Sequence, residues 1–148
     1  MYLENKLCKP GKLKMCGVPV DLRKIDMPAY VLATKEDHIV PWKTASASAR
    51  HLRGPVQFVL AASGHIAGVV TPPAAGKYQH WPADKLAPTL EEWQASSTEH
   101  PGSWWPHWSA WLKAKSGHLV PARDPTKGKL KPLGDAPGTY VKVTSQPA

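Results

Sequence analysis

The sequence predicts an α/β fold, with parallel strands joined by a crossover helix, followed by Trp-rich helices and an irregular basic tail. Two continuous apolar runs, Ala29–Ala33 and Val56–Ala61, have the length and composition of buried strands. Between them Trp42, Ala45, Ala49 and Leu52 recur at helical spacing after Pro41, a residue suited to a first helical turn. Later, Trp104, Trp108, Trp111 and Leu112 return at intervals of three and four residues, which places them on one helix face.

Residues 1–17 read as an N-terminal connector. They hold a short amphipathic piece, Tyr2-Leu3-Glu4-Asn5-Lys6-Leu7, and a Lys/Pro/Gly-rich stretch from Lys9 to Lys14. So little structure after Met1 reads as a truncated start. Residues 18–116 are expected to hold the globular part. Apolar and polar groups alternate over Val18–Leu22 and Ile25–Pro28, and the strand at Ala29–Ala33 stops at Thr34-Lys35-Glu36-Asp37-His38. A helix over 42–53, about three turns long, ends at Gly54-Pro55. The second strand follows, broken by Ser63-Gly64-His65 before Pro72-Pro73. A crossover of this length returns the chain parallel and right-handed beside the first strand, so both loops leave the same edge of one sheet. Asp37 and His65 are thereby expected to be neighbours.

Beyond Pro73 the alternation of strand and helix ceases. Thr89-Leu90-Glu91-Glu92 has the form of a capping box opening a helix through Trp93. Ser103 suits the cap of a second helix, from about Trp104 to Ser116 with Gly117 after it. Residues 117–148 form a tail with five Pro, four Gly and five Lys/Arg, whose one extended piece is expected at Thr139–Val143.

The formal charge of +8 invites a nucleic-acid partner, but its distribution argues against one. Residues 1–25 carry +4, residues 26–112 carry −1 and residues 113–148 carry +5. Basic flanks on a neutral body are the pattern of linkers and solvated tails. No apolar run reaches membrane-spanning length and no secretory signal is present, so the sequence reads as cytoplasmic with no membrane partner. Cys8 and Cys16 lack the spacing of a zinc site and are expected to be free thiols, Cys16 packing as a small apolar group.

In a mostly parallel sheet, groups that act on a substrate collect at the carboxyl ends of the strands. Asp37 and His65 both occupy such positions. A carboxylate beside a histidine fixes the imidazole tautomer through the Nδ1 hydrogen and leaves Nε2 free to take and return a proton. Either residue alone has an ordinary explanation, an acid before a helix being usually a cap and a loop histidine usually solvated. Their placement on adjacent strand ends makes them the candidate catalytic residues. The tryptophans from Trp93 to Trp111 are expected to pack as core.

Four ordered motifs then identify a resemblance: Cys16-Gly17-Val18-Pro19-Val20-Asp21-Leu22, Glu36-Asp37-His38-Ile39-Val40-Pro41-Trp42, Ser63-Gly64-His65-Ile66-Ala67-Gly68-Val69 and Gly102-Ser103-Trp104-Trp105-Pro106. They resemble class I polyhydroxyalkanoate synthases, from about residue 2 to residue 115, with a looser echo in Pro137–Lys142. The resemblance implies the C-terminal portion of an α/β-hydrolase fold, with Asp37 as triad acid and His65 as general base. It also implies a cysteine nucleophile in a Gly-x-Cys-x-Gly turn well upstream. Neither Cys8 nor Cys16 has that context. His38 matches a family position and is read as supporting structure, since neighbouring loop residues point apart.

The implied chemistry is acyl transfer from a 3-hydroxyacyl-CoA, notably 3-hydroxybutyryl-CoA, onto cysteine and then onto a growing polyester, with release of CoA and no cofactor. Implied partners are that substrate, the polyester chain and its granule, and a second copy of the full-length enzyme. The alternative is a noncatalytic remnant or interaction module that sits on granules or against a full synthase.

Overall fold

The computed structural model describes residues 3–83 and 85–145, so Tyr2 of the amphipathic N-terminal piece lies outside the described residues. The chain divides into two compact units, Met1–Lys115 and Ser116–Ala148.

The first unit opens with a single 3-10 turn at Lys6–Cys8 and a hairpin of β1 (Leu13–Met15) and β2 (Val18–Val20), paired antiparallel with Met15 opposite Val18. Its two-residue loop is Cys16-Gly17, with φ of 48° and 78°. Positive φ at both loop residues is what a tight hairpin requires for its twist to match the strands. Cys16 is therefore exposed at a turn, which corrects the expectation that it packs as an apolar group.

The central sheet has the order β3-β4-β5-β6. β3 (Ala29–Thr34) and β4 (Val56–Ala61) pair in parallel, in register from Ala29 opposite Val56 to Thr34 opposite Ala61. The crossover carries α1 (Trp42–Ala49). This helix is shorter than the expected 42–53. Its last turn tightens into i→i+3 bonds, and the Arg53 and Gly54 amides both donate to Ile25 O, drawing the backbone out of helix towards β4.

The sheet continues past Pro73, contrary to expectation. β5 (Gln79–Pro82) runs antiparallel to β4, and the two-residue β6 (His100–Pro101) antiparallel to β5. Between β4 and β5 lie two further helical turns, α2 (Ala67–Val70) and a 3-10 turn at Pro73–Ala75, also absent from the sequence reading.

Side chains alternate across a strand, so β3 and β4 present two faces. On one, Ala33, Phe58 and Leu60 pack with Trp93 of α3 (Leu90–Ser96), and Trp42 and Ala45 of α1 close over them. Trp93 is 1% exposed and meets Phe58 edge to face at 5.0 Å. The Thr89–Glu92 capping box that starts α3 forms as expected, each side chain bonding the other residue's backbone N–H at 3.2 Å.

On the other face, Tyr30 meets Trp104 and the residues of α4 (Trp105–Lys113), with ring centroids 6.1 Å from Trp104, 5.8 Å from His107 and 5.4 Å from Trp111. Ser103 Oγ accepts from the Trp105 amide at 3.2 Å. The helix ends at Lys113, short of the expected Ser116. No residue of α4 is buried. Core packing thus describes Trp93, whereas the α4 stripe is a half-exposed layer over Tyr30.

The second unit, Ser116–Ala148, has isolated 3-10 turns at Pro125–Lys127 and Tyr140–Lys142. The latter replaces the extended piece expected at Thr139–Val143, because the Lys142 and Val143 amides find local carbonyls at Thr139 and Tyr140 and no strand partner.

Candidate active site

The loops after β3 and β4 are tied together before either candidate residue is reached. The Lys35 amide donates to Ala61 O at 2.8 Å and the Glu36 amide to Ser63 O at 3.0 Å, so the parallel ladder runs past both strand ends. Ser63, with φ of 72°, then turns the chain through a conformation that costs a non-glycine residue energy. His65 follows, inside a turn closed by the Gly68 amide donating to Gly64 O.

This framework brings the two candidates into contact. His65 Nδ1 lies 2.8 Å from Asp37 Oδ2. The other carboxylate oxygen, Oδ1, accepts from the backbone N–H groups of Ile39 at 2.9 Å and Val40 at 2.8 Å. Asp37 therefore acts both as a cap for the segment leading to α1 and as partner of the imidazole, one oxygen for each. The Val40 amide, followed by the His65 hydrogen bond and the Ile39 amide, holds its carboxyl down at about 2, against the opposing effect of burial. An ionised carboxylate has no proton to give, so Nδ1 of the imidazole carries the hydrogen. In the neutral ring Nε2 is then an acceptor.

Exposure is divided unequally. The Asp37 side chain is 8% exposed and that of His65 43%, so the acid is enclosed while the imidazole faces outward. Such an arrangement is chemically able to exchange a proton with a group that approaches the His65 edge. His38 is exposed on the adjacent loop. Cys8 Sγ donates to Asn5 O within its own turn and Cys16 stands in the hairpin loop, both free thiols. Among the described residues, no group of three or more His, Cys, Asp or Glu is placed to hold a metal ion, and no helix is long and apolar enough to cross a membrane.

Two supports of the site had no signal in the sequence. Thr34, 2% exposed at the end of β3, points Oγ1 to Asp37 Oδ2 at 3.5 Å and its methyl at Gly68. Trp104 and Trp105 both direct their indole N–H groups at Val69 O, at 3.2 and 2.9 Å. The Gly-Ser-Trp-Trp motif to which they belong was legible, but its connection to the segment after His65 is a tertiary fact.

No protein-family model matches the chain. It is 50% identical over 144 residues to the poly(3-hydroxyalkanoate) polymerase subunit PhaC of Cupriavidus necator, covering 96% of this chain and 24% of that protein. The corresponding subunit of Rhizobium meliloti is 46% identical over 142 residues, covering 96% and 23%. Poly(3-hydroxyalkanoate) polymerase 2 of Ectopseudomonas oleovorans is 40% identical over 138 residues, covering 93% and 25%. The chain spans about a quarter of the length of these curated relatives. Over nearly its whole length, it is homologous to a quarter-length segment of the poly(3-hydroxyalkanoate) polymerases.

Proposed function

We propose that the chain is the C-terminal part of the α/β-hydrolase-type catalytic domain of a polyhydroxyalkanoate synthase, within residues 18–116, with residues 117–148 as its tail. Asp37 and His65 are the acid and base of a Cys-His-Asp triad. The observation that carries this reading is the 2.8 Å contact between His65 Nδ1 and Asp37 Oδ2 at the ends of adjacent parallel strands.

The reaction is acyl transfer. His65 Nε2 takes the proton of a cysteine thiol supplied by the remainder of the polymerase, and the thiolate attacks the carbonyl of a 3-hydroxyacyl-CoA such as 3-hydroxybutyryl-CoA. The C–S bond to CoA breaks, and CoA leaves as a thiol after receiving the proton. The 3-hydroxyl of a second acyl unit then gives its proton to the base and attacks the acyl-cysteine carbonyl; the C–S bond to cysteine breaks, the base returns the proton to the cysteine sulfur, and the new ester lengthens the polyester by one unit. Asp37 keeps Nδ1–H directed and stabilises the imidazolium formed in each step. The partners are the CoA substrate, the polyester granule and a second copy of the whole enzyme, in the cytoplasm.

A noncatalytic, granule-binding role is the second reading. It is favoured by Leu119, Val120, Leu130, Leu133 and Tyr140, each at least 80% exposed in the second unit and interleaved with Lys129 and Lys131.

Thiol release from 3-hydroxybutyryl-CoA separates the two. The 148-residue chain alone is expected to release none. Joined in one polypeptide to the remaining three quarters of the Cupriavidus necator polymerase, it is expected to polymerise. His65→Ala should then lower kcat about a thousandfold or more, since a positioned general base contributes about 10²–10⁴, while His38→Ala retains most of the activity. A joined protein indifferent to His65 would leave the noncatalytic reading standing.

A further inference from the structure

We infer that Trp104 and Trp105 are positioning residues for His65, acting as a clamp on the helical turn that follows it; this rests on the proposed role of His65. α2 is four residues long, and a lone helical turn does not hold itself together in water. Its carbonyls at the C-terminal end lack intrahelical partners. Of the carbonyls of this turn, Ala67 O accepts from the Thr71 amide at 3.3 Å and from Thr71 Oγ1 at 2.5 Å. Another, Val69 O, accepts both indole N–H groups.

The clamp leads back to β3, the strand whose following loop bears Asp37. The Trp104 ring lies 6.1 Å from that of Tyr30, in β3. One residue before Val69, Gly68 rests against Thr34 at the end of the same strand, so closely that a Cβ there would stand 2.5 Å from Thr34 Cγ2. Adjacent residues of α2 are thus fixed from two directions, the backbone of Gly68 by β3 and the carbonyl of Val69 by the indoles. His65 sits within the turn that Gly68 closes. An imidazole that is 43% exposed has little packing of its own to hold it on Asp37. The segment after it supplies that restraint, which gives the Gly-Ser-Trp-Trp motif a purpose beyond packing.

The test removes the two N–H groups and keeps the rings. In the 148-residue chain, Trp104 and Trp105 are replaced singly and together by benzothienylalanine, whose sulfur stands where the indole N–H was. The Nδ1 proton resonance of His65, assigned by its loss in His65→Ala, is followed by NMR. It is expected to be present in the unsubstituted chain, weakened in the single replacements and lost to solvent exchange in the double one, with β3 and β4 amide signals unmoved. Persistence in the double replacement, or absence from the unsubstituted chain, overturns the clamp. In the joined polymerase, Trp104→Phe with Trp105→Phe should lower kcat about a hundredfold, as a misplacement near 1 Å does, with KM within about twofold. A fall in kcat/KM carried by KM alone counts against positioning. A joined polymerase inactive with both tryptophans intact overturns the acyl-transfer reading instead, and the resonance test then decides the clamp by itself.

Discussion

Asp37 illustrates how one side chain can cap a backbone segment and hold a histidine at once. A carboxylate ahead of a helix reads as a cap and a carboxylate beside a histidine as a candidate triad acid, and the geometry admits both because one oxygen accepts from the Ile39 and Val40 amides while the other contacts His65. The pH consequence follows from its sign. A carboxyl depressed to about 2 contributes stability that is fully present above its ordinary value near 4 and disappears as pH falls through about 2. Asn at this position still accepts from Ile39 and Val40, but presents either a neutral oxygen or an amide donor to the imidazole. We expect the melting temperature of the native chain to exceed that of Asp37→Asn at pH 5. The margin should narrow steadily between about pH 4 and pH 2. Thermal melts of the two proteins across that range check it, and a margin that failed to narrow between pH 4 and pH 2 would contradict the assignment of the carboxylate.

Elements that declared themselves in the sequence did so through local pattern. β3 and β4 are continuous apolar runs, α3 opens on a capping box, and a helix-length connection dictates the parallel return that joins Asp37 to His65. What escaped is what other parts of the chain dictate. β5 is Gln-His-Trp-Pro and β6 His-Pro, neither with a strand's composition, and each exists because a neighbouring edge offers hydrogen bonds. The Cys16-Gly17 loop did carry a signal, a glycine in a two-residue link between short apolar strands. α2 has none, and its position depends on a close approach that only glycine permits. Two glycines flank His65 with opposite demands. A Cβ at Gly64 would meet Glu36 O at an ordinary 3.7 Å, whereas one at Gly68 would stand 2.5 Å from Thr34 Cγ2 and 2.6 Å from Ala62 O. Gly68→Ala must push α2 off β3, at a cost of about 1–3 kcal/mol, and so should lower the melting temperature by at least about 5 °C. Gly64→Ala should leave it nearly unchanged. Similar melting temperatures for the two variants would show that α2 is not seated against the strand.

At the scale of the molecule, the same topology that builds the site leaves one flank open. β3 pairs with β4 on one side, and among the described residues no strand pairs on its other side. Its sequence, Ala-Tyr-Val-Leu-Ala-Thr, has none of the charges or prolines that protect an edge, and it is as apolar as an interior strand. Composition announced this strand as buried; it could not reveal that β3 stands at an edge of the sheet. The half of the β3 amides directed at β4 should be protected from hydrogen exchange wherever the sheet is folded, and the half directed away should be protected only when another strand pairs with them. In the dilute chain the outward amides are expected to exchange as fast as loop amides. With rising concentration, sedimentation should detect self-association as those amides slow. Joined to the remaining three quarters of the polymerase, the outward amides should become protected at every concentration and the self-association should vanish. Protection of both halves in dilute monomer would mean that the chain already covers its own edge, and that the open flank is not where the joined polymerase sequence docks.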